Sequence, residues 1–127
     1  MKSLLNALRR FDIIYTYYGT KFDVPFVRTR ALRWNLPFPF FQQIYHNDLY
    51  YSVRNKTKIV SNRLESITKF LGIEGKTKLE HEYWIRAMYG EAKALKYIRE
   101  HNIKDVEILE KLHERLRPYI QMTRRSI

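Results

Sequence analysis

The chain has 127 residues and no cysteine, so it is the size of one domain, and disulfides and cysteine-based zinc sites are excluded. No apolar run reaches the ~18 residues that a membrane-spanning helix needs, so we expect a cytoplasmic protein that does not enter membranes. The net charge is +11, and residues 1–60 hold ten basic side chains against three acidic ones. Such a surface is typical of proteins that bind nucleic acid, although charge can also serve solubility alone.

The first part of the chain predicts a helix, a strand and a second helix, in that order. Leucines recur at helical spacing near the N-terminus, and the β-branched and aromatic run Asp12–Tyr17 predicts a mostly buried strand. Gly19 permits the tight turn that follows. Asp23 is expected to cap a helix that reaches about Trp34, with Pro25 in its first turn.

A second strand and a third helix are expected next. Phe40–His46 predicts the strand, and Asp48 near its end is expected to cap a short helix; the alternative is that Asp48 approaches a functional site. The strand–helix–strand order indicates two parallel strands joined by a right-handed crossover. Five side chains of the second helix and the turn before it are expected to point into the core: Phe22, Phe26, Val27, Leu32 and Trp34.

The rest of the chain predicts three helices. Asn62 is expected to cap the first, which Gly72 ends; the second covers about 79–89, and the third covers about 91–117 before Pro118. Arg124 and Arg125 are expected in a loose tail. The apolar side chains expected to be buried are Leu64, Ile67, Phe70, Leu71, Trp84, Ile85, Met88, Leu95, Ile98, Val106, Leu109, Leu112 and Leu116.

The segment Phe22-Asp23-Val24-Pro25 places a carboxylate between a predicted strand and the helix that follows it. Polar side chains at the ends of parallel strands lie at the rim of a sheet, where ligands bind. Asp23 is therefore a candidate ligand-binding residue, and the alternative is that it serves only as a helix cap.

The second candidate segment lies on the last helix, where His101 precedes Asp105 by four residues. Residues four apart face the same side of a helix. One face can thus offer a carboxylate for a metal ion and an imidazole as a general base. The alternatives are a surface ion pair for Asp105 and a structural role for His101.

In order and spacing, these segments resemble the DEDD superfamily of ribonuclease-H-like 3′–5′ exonucleases, close to the proofreading domains of family-B DNA polymerases. The resemblance extends from about Leu4 to Leu116. It departs from the family at Tyr18, where the family has an asparagine, and at His101, which stands where a tyrosine is usual. It implies a single truncated domain over residues 1–127, with a partial ribonuclease-H-like α/β fold of two core strands and five or six helices.

The resemblance also implies a metal site. Asp23 and Asp105 match two of the family's four metal-binding carboxylates, which hold Mg²⁺ or Mn²⁺, and His101 would join them in catalysis. The other two acids, an Asp-x-Glu pair, belong to an N-terminal three-stranded hairpin unit that is not expected here. We therefore expect a chain that is incomplete or inactive alone. The alternatives are a non-catalytic binding or assembly module and a C-terminal fragment of a longer exonuclease or polymerase.

The expected partner is nucleic acid, most simply a single-stranded 3′ end. Tyr17, Tyr18, Lys21 and Arg28 are the candidate contacts, whereas most other aromatic rings are expected in the core or an interface. Without the hairpin unit, the strand near 12–17 would have an open hydrophobic edge, and such edges pair with other chains. We expect a homodimer through this edge, or a partner chain that supplies the missing strands.

Overall fold

The computed structural model describes residues 1–75, 79–120 and 125–127. These residues form two strands and six α-helices, which confirms the predicted α/β class with two core strands. The bounds are α1 Lys2–Leu8, β1 Ile13–Thr16, α2 Asp23–Arg33, β2 Tyr45–Asp48, α3 Leu49–Lys56, α4 Leu64–Phe70, α5 His81–Met88 and α6 Ala92–Leu116, followed by a 3-10 turn at Arg117–Tyr119.

The chain forms two compact units. The first contains Met1–Asn62 and Arg117–Ile127, and therefore both strands; the second contains Arg63–Leu116. The core of the first unit is formed by Leu5, Ala31, Ile44, Leu49, Val53 and Ile127. The core of the second unit is formed by Ile67, Ala94, Ile98, Ile108, Leu112 and Leu116.

β1 and β2 pair in parallel, from Ile13 opposite Tyr45 to Thr16 opposite Asp48. This parallel pairing confirms the arrangement expected from the strand–helix–strand order. All four residues of β1 are only half-buried, however, so the expectation of a mostly buried strand was wrong. Within the described residues, β1 has a neighbouring strand on one side, and less of its surface is covered.

The second strand begins later than its aromatic residues suggested. Phe40 and Phe41 are exposed, and the Gln43 N–H donates to the Phe40 carbonyl in a turn. Gln42 takes a left-handed backbone conformation with φ of 66°. β propensity favours a strand over 40–46, but residues 40–43 form this turn instead, and β2 begins at Tyr45.

The C-terminal residues lie against β2. The His46 N–H donates to the Arg125 carbonyl at 2.7 Å, and the Ile127 N–H donates to the Ile44 carbonyl at 3.2 Å. Ser126 forms an antiparallel bridge with Tyr45. The expectation of a loose tail was therefore wrong for Arg125, while Arg124 lies outside the described residues.

The start of α2 differs from the predicted cap. Asp23 is the first helical residue, Phe22 holds the cap position, and within the described residues no side chain caps this helix. The Asp23 carboxylate in the first turn still interacts favourably with the helix dipole. Pro25 lies in that turn, as predicted.

Most of the large side chains expected inside the first unit are exposed. Ala31 is the residue of α2 that is fully buried, and Val27 is half-buried. The exposed side chains are Phe22, Phe26, Leu32 and Trp34. The buried position of α2 is thus held by a small residue, and the larger side chains lie on its exposed side.

In the second unit, α4 begins after Arg63 in an extended conformation, and the described residues provide no side-chain cap, so the predicted Asn62 cap was wrong. Gly72 follows the helix with φ of 67°, the left-handed conformation that ends helices, as predicted. Ile67 is buried as expected, whereas Phe70 is exposed.

α5 and α6 lie against each other, with the rings of Tyr83 and Tyr97 stacked at 4.0 Å. Several apolar side chains expected to be buried are exposed: Trp84, Ile85, Met88, Leu95 and Val106. The buried face of α6 consists of Ala94, Ile98, His101, Ile108, Leu112 and Leu116. A polar residue therefore occupies the buried face, and part of the apolar surface is turned outward.

Candidate functional site

The carboxyl ends of the two parallel strands meet at one edge of the sheet. There the Thr16 hydroxyl lies 2.8 Å from Nε2 of His46, across the two strands. His46 and Asp48 are 5% and 7% exposed, so the strand end places an imidazole and a carboxylate in a nearly buried setting. This is the edge at which ligands bind in open parallel sheets.

The Asp48 carboxylate holds this edge together. It accepts hydrogen bonds from the backbone N–H groups of Tyr18 at 2.7 Å, Thr20 at 2.9 Å and Tyr50 at 3.1 Å. The bond from Tyr50 is the α3 cap expected for Asp48. The other two bonds tie the turn after β1 to the end of β2, and they position the approach to Asp23.

The turn itself depends on Gly19. A Cβ atom at this position would lie 2.5 Å from the Thr16 side chain, closer than real Cβ contacts come. The preceding residue, Tyr18, has φ of 67°, and the Val24 N–H donates back to the Gly19 carbonyl at 2.9 Å. Asp23 thus follows a turn whose shape is set by glycine and by Asp48.

Burial lowers the pKa of His46 below its usual range, and the nearby Arg125 lowers it further. The carboxylates of Asp48 and Asp23 act in the opposite direction. Asp23 therefore lies within electrostatic reach of the sheet edge, where its place in the sequence puts it. A neutral imidazole accepts hydrogen bonds and protons more readily than a charged one.

The candidate nucleic-acid contacts of the first unit differ in exposure. The Tyr17 hydroxyl donates to the Asn62 carbonyl at 2.6 Å, and burial, with smaller effects of Tyr50 and Asp48, raises its pKa. Tyr18 is exposed on one side and packs edge-on against Tyr50, with ring centroids 4.8 Å apart. Lys21 and Arg28 are exposed.

A cavity of about 170 Å³, most of whose lining residues are polar or charged, opens beside the strand edge. Its lining includes His46, Asp48 and the buried Asn47, together with the cationic residues Lys56 and Arg125. The Asn47 side-chain nitrogen is buried and has no hydrogen-bond partner within the described residues. The cavity extends the polar surface of the sheet edge toward α3.

In the second unit, His101 and Asp105 are brought together on α6. Nε2 of His101 lies 3.4 Å from Oδ2 of Asp105, one helical turn away. His101 is buried, and Asp105 is partly buried, on the face that also carries Ile98 and Ile108. The predicted four-residue spacing thus forms a close imidazole–carboxylate pair in a largely apolar setting.

The candidate metal residues lie in different units, Asp23 in the first and Asp105 in the second. Within the described ranges, no three histidine, aspartate or glutamate side chains come together in a way that could hold a metal ion. One or two carboxylates can hold a hydrated Mg²⁺. Asp23 and Asp105 are of the ligand type that Mg²⁺ prefers, and no two-metal centre is assembled among the described residues.

His46 and the bridging role of Asp48 were not recognised from the sequence. The sequence pattern predicted a helix cap at Asp48 and assigned no functional role to His46. The available signal is their position two residues apart at the end of a strand, which puts both side chains on the same face.

Comparison with known proteins identifies the fold family. A family model for the RNase H superfamily matches residues 1–117, and no curated protein matches the chain. None of the helices in the described parts of the chain is long and apolar enough to cross a membrane. The match covers both strands, all six helices and both candidate segments, in agreement with a partial ribonuclease-H-like fold. The chain belongs to the RNase H superfamily.

Proposed function

We propose that this chain is a nucleic-acid-binding protein of the metal-dependent 3′–5′ exonuclease type, and that its turnover needs carboxylates in addition to Asp23 and Asp105. Membership of the RNase H superfamily supports a nuclease-like function on nucleic acid. The net charge of +11 supports a polyanionic substrate. Within that superfamily, the two motif segments favour the exonuclease branch.

The observation that carries the proposal is the His101–Asp105 pair. A buried imidazole within 3.4 Å of a carboxylate is costly to place on the inner face of a helix, where aliphatic residues would pack with less desolvation. A carboxylate that engages one ring nitrogen also sets the orientation of the imidazole. The pair is therefore suited to proton transfer as well as to helix stability.

In this proposal Asp23 and Asp105 are the residues that would hold Mg²⁺ or Mn²⁺. When bound, the metal supplies positive charge beside the phosphodiester. The carboxylates provide the oxygen ligands that these ions prefer. Because two carboxylates do not complete a two-metal centre, the proposal assigns the remaining acids to another segment or another chain.

His101 would act as the general base. Its Nε2 lies 3.4 Å from Oδ2 of Asp105, and the imidazole would accept a proton from water. Asp105 would then stabilise the imidazolium that forms. Tyr17, Tyr18, Lys21 and Arg28 would contact a single-stranded 3′ end in this scheme.

We further propose that another chain pairs with the open edge of β1. Within the described residues, β1 pairs with β2 alone, so one edge of the strand has no neighbouring strand there. Exposed strand edges pair with other chains. A second copy, or a chain that supplies further strands and the missing acids, would use this edge.

The test is digestion of a 3′-labelled single strand in Mg²⁺ or Mn²⁺, by the chain alone and with any partner that co-purifies with it. We expect metal-dependent shortening from the 3′ end that is lost in Asp23→Asn and in Asp105→Asn. Glu100→Gln, at an exposed position on α6, is the matched control. Equal activity in Asp23→Asn and the unchanged chain would remove Asp23 from the mechanism.

The second candidate function is a binding module without turnover. It is favoured by the finding that the described residues assemble no group of three metal ligands. This function predicts that single strands bind in EDTA with an affinity that depends on salt. It also predicts that they are not shortened in Mg²⁺, whether or not a co-purified partner is present.

A further inference from the structure

An exposed face of α2 carries aromatic and arginine side chains in a regular row. Phe22, Phe26, Arg30 and Trp34 follow one another at intervals of four residues, so they share one side of the helix. Phe22 is 69% exposed, and Phe26 and Trp34 are each 52% exposed. We call Phe26, Arg30 and Trp34 the α2 stripe.

Arg30 joins the two rings of the α2 stripe. Its guanidinium carbon lies 5.3 Å from the ring centroid of Phe26 and 5.5 Å from that of Trp34. Each distance is within the range of a cation–π interaction. The three side chains thus hold one another in place at the surface while about half of each ring stays open to solvent.

The helix that carries the α2 stripe is predominantly basic. It holds Arg28, Arg30 and Arg33 against one acid, Asp23 at its first position, and no acidic residue occurs from Val24 to Asn47. The Arg28 guanidinium lies 5.8 Å from the ring centroid of Phe38. A partner that complements this surface must be negatively charged and must offer flat groups that stack on rings.

We propose that the α2 stripe is a docking surface for single-stranded nucleic acid. Bases would stack on Phe26 and Trp34, and Arg30 would contact the backbone phosphates between them. Stacking on aromatic rings combined with a basic track is how proteins bind single strands without reading their sequence. This inference rests on the proposed function, to which it adds a binding track formed by residues other than Asp23, His101 and Asp105.

The same charges argue against a second copy of the chain as the occupant. A two-fold contact brings the same patch of both copies together. Here it would face arginines with arginines, and α2 has one acid, Asp23, against its three arginines. Like charges across an interface oppose association.

The experiment measures fluorescence anisotropy of labelled oligothymidine and of a duplex, in EDTA so that no strand is cut. The variants are Phe26→Ala, Trp34→Ala and Arg30→Lys. All three change exposed side chains, and circular dichroism checks that the fold is kept. The matched controls are Phe70→Ala and Arg99→Lys, at exposed positions in the second unit.

We expect each aromatic variant to raise the Kd for the single strand by about 5-fold or more, since stacking contributes ~1–3 kcal/mol per base. Arg30→Lys keeps the charge but loses the planar group, so it should weaken binding without changing the salt dependence. The controls should stay within about 2-fold. The duplex, whose bases are paired, should bind less tightly and respond less to the aromatic variants.

The outcomes separate this inference from the proposed function. Tight single-strand binding that is unchanged in all three variants would overturn the α2 stripe and leave nucleic-acid binding in place. No binding by the unchanged chain would overturn both. If sedimentation shows a dimer that Phe26→Ala or Trp34→Ala dissociates, with Kd unchanged, the occupant is a second copy and the inference is wrong.

Discussion

The Asp48 carboxylate accepts the Tyr18 N–H at 2.7 Å and so joins the end of β2 to the turn after β1. The same carboxylate also accepts from Thr20, at 2.9 Å, and from Tyr50, at 3.1 Å. Three backbone donors around one nearly buried carboxylate leave little freedom in the segment that leads to Asp23. Asp48, which has no direct role in the proposed chemistry, thus positions Asp23, which has one.

Replacement of Asp48 by asparagine should destabilise the chain. Asparagine has one acceptor oxygen, so at least one backbone N–H in this buried place would lose its partner. Hydrogen bonds to a charged group contribute ~1.5–3 kcal/mol, and we expect a loss of about that size in urea unfolding. Glu100→Gln, which removes an exposed carboxylate, is the control and should change stability little. A stability equal to that of the unchanged chain would show that the three bonds contribute nothing net.

Alanine at Gly19 should destabilise the turn by steric overlap. Its Cβ would lie 2.5 Å from the Thr16 side chain, so strand or turn must shift. Overpacking of this kind costs ~1–3 kcal/mol. In thermal unfolding we expect Thr16→Gly to recover part of the loss when it is combined with Gly19→Ala. Purely additive effects of the two changes would contradict this assignment of the clash.

Stability should fall at mildly acidic pH because of His46. The fold lowers its pKa, mainly through burial, below the value of about 6.5 in an unfolded chain. Between these two values the unfolded chain binds more protons than the folded one, so stability rises with pH in that window. The contribution is complete above about pH 6.5 and is lost as the pH falls toward the folded pKa.

The measurement for His46 is urea unfolding at a series of pH values, compared with His46→Gln. The glutamine variant should lack the part of the pH dependence that lies just below about pH 6.5. Carboxylates titrate lower and affect both chains alike. Parallel curves for the two chains throughout this window would show that His46 is not responsible.

The buried face of α6 can be tested by truncation. Leu112 is fully buried and Val106 is 66% exposed, although their sequence pattern suggested that both face inward. Leu112→Ala should cost ~2–5 kcal/mol, whereas Val106→Ala should stay within about 0.5 kcal/mol. Equal losses in chemical unfolding would mean that Val106 is covered in solution.

Much of the fold could be predicted from local sequence. Three features depend on residues that are close in sequence. The β-branched run before Gly19 predicts β1, the acid at the end of the second strand predicts the Asp48 cap, and Gly72 predicts the end of α4. The four-residue spacing of His101 and Asp105 likewise determines that they share a helix face. The motif around Asp23 could be recognised for the same reason.

What the sequence by itself could not determine was which apolar surfaces are covered. Phe22, Phe26 and Trp34 are of the aromatic types that are common in protein cores, but a ring is buried only where another element covers it. In α2 the buried residue is Ala31 instead. Two further features join residues that are distant in sequence: Arg125–Ile127 pair with β2, and Asp48 accepts hydrogen bonds from the turn after β1. These features depend on three-dimensional packing, and they decide where the sheet edge, Asp23 and the α2 stripe are presented.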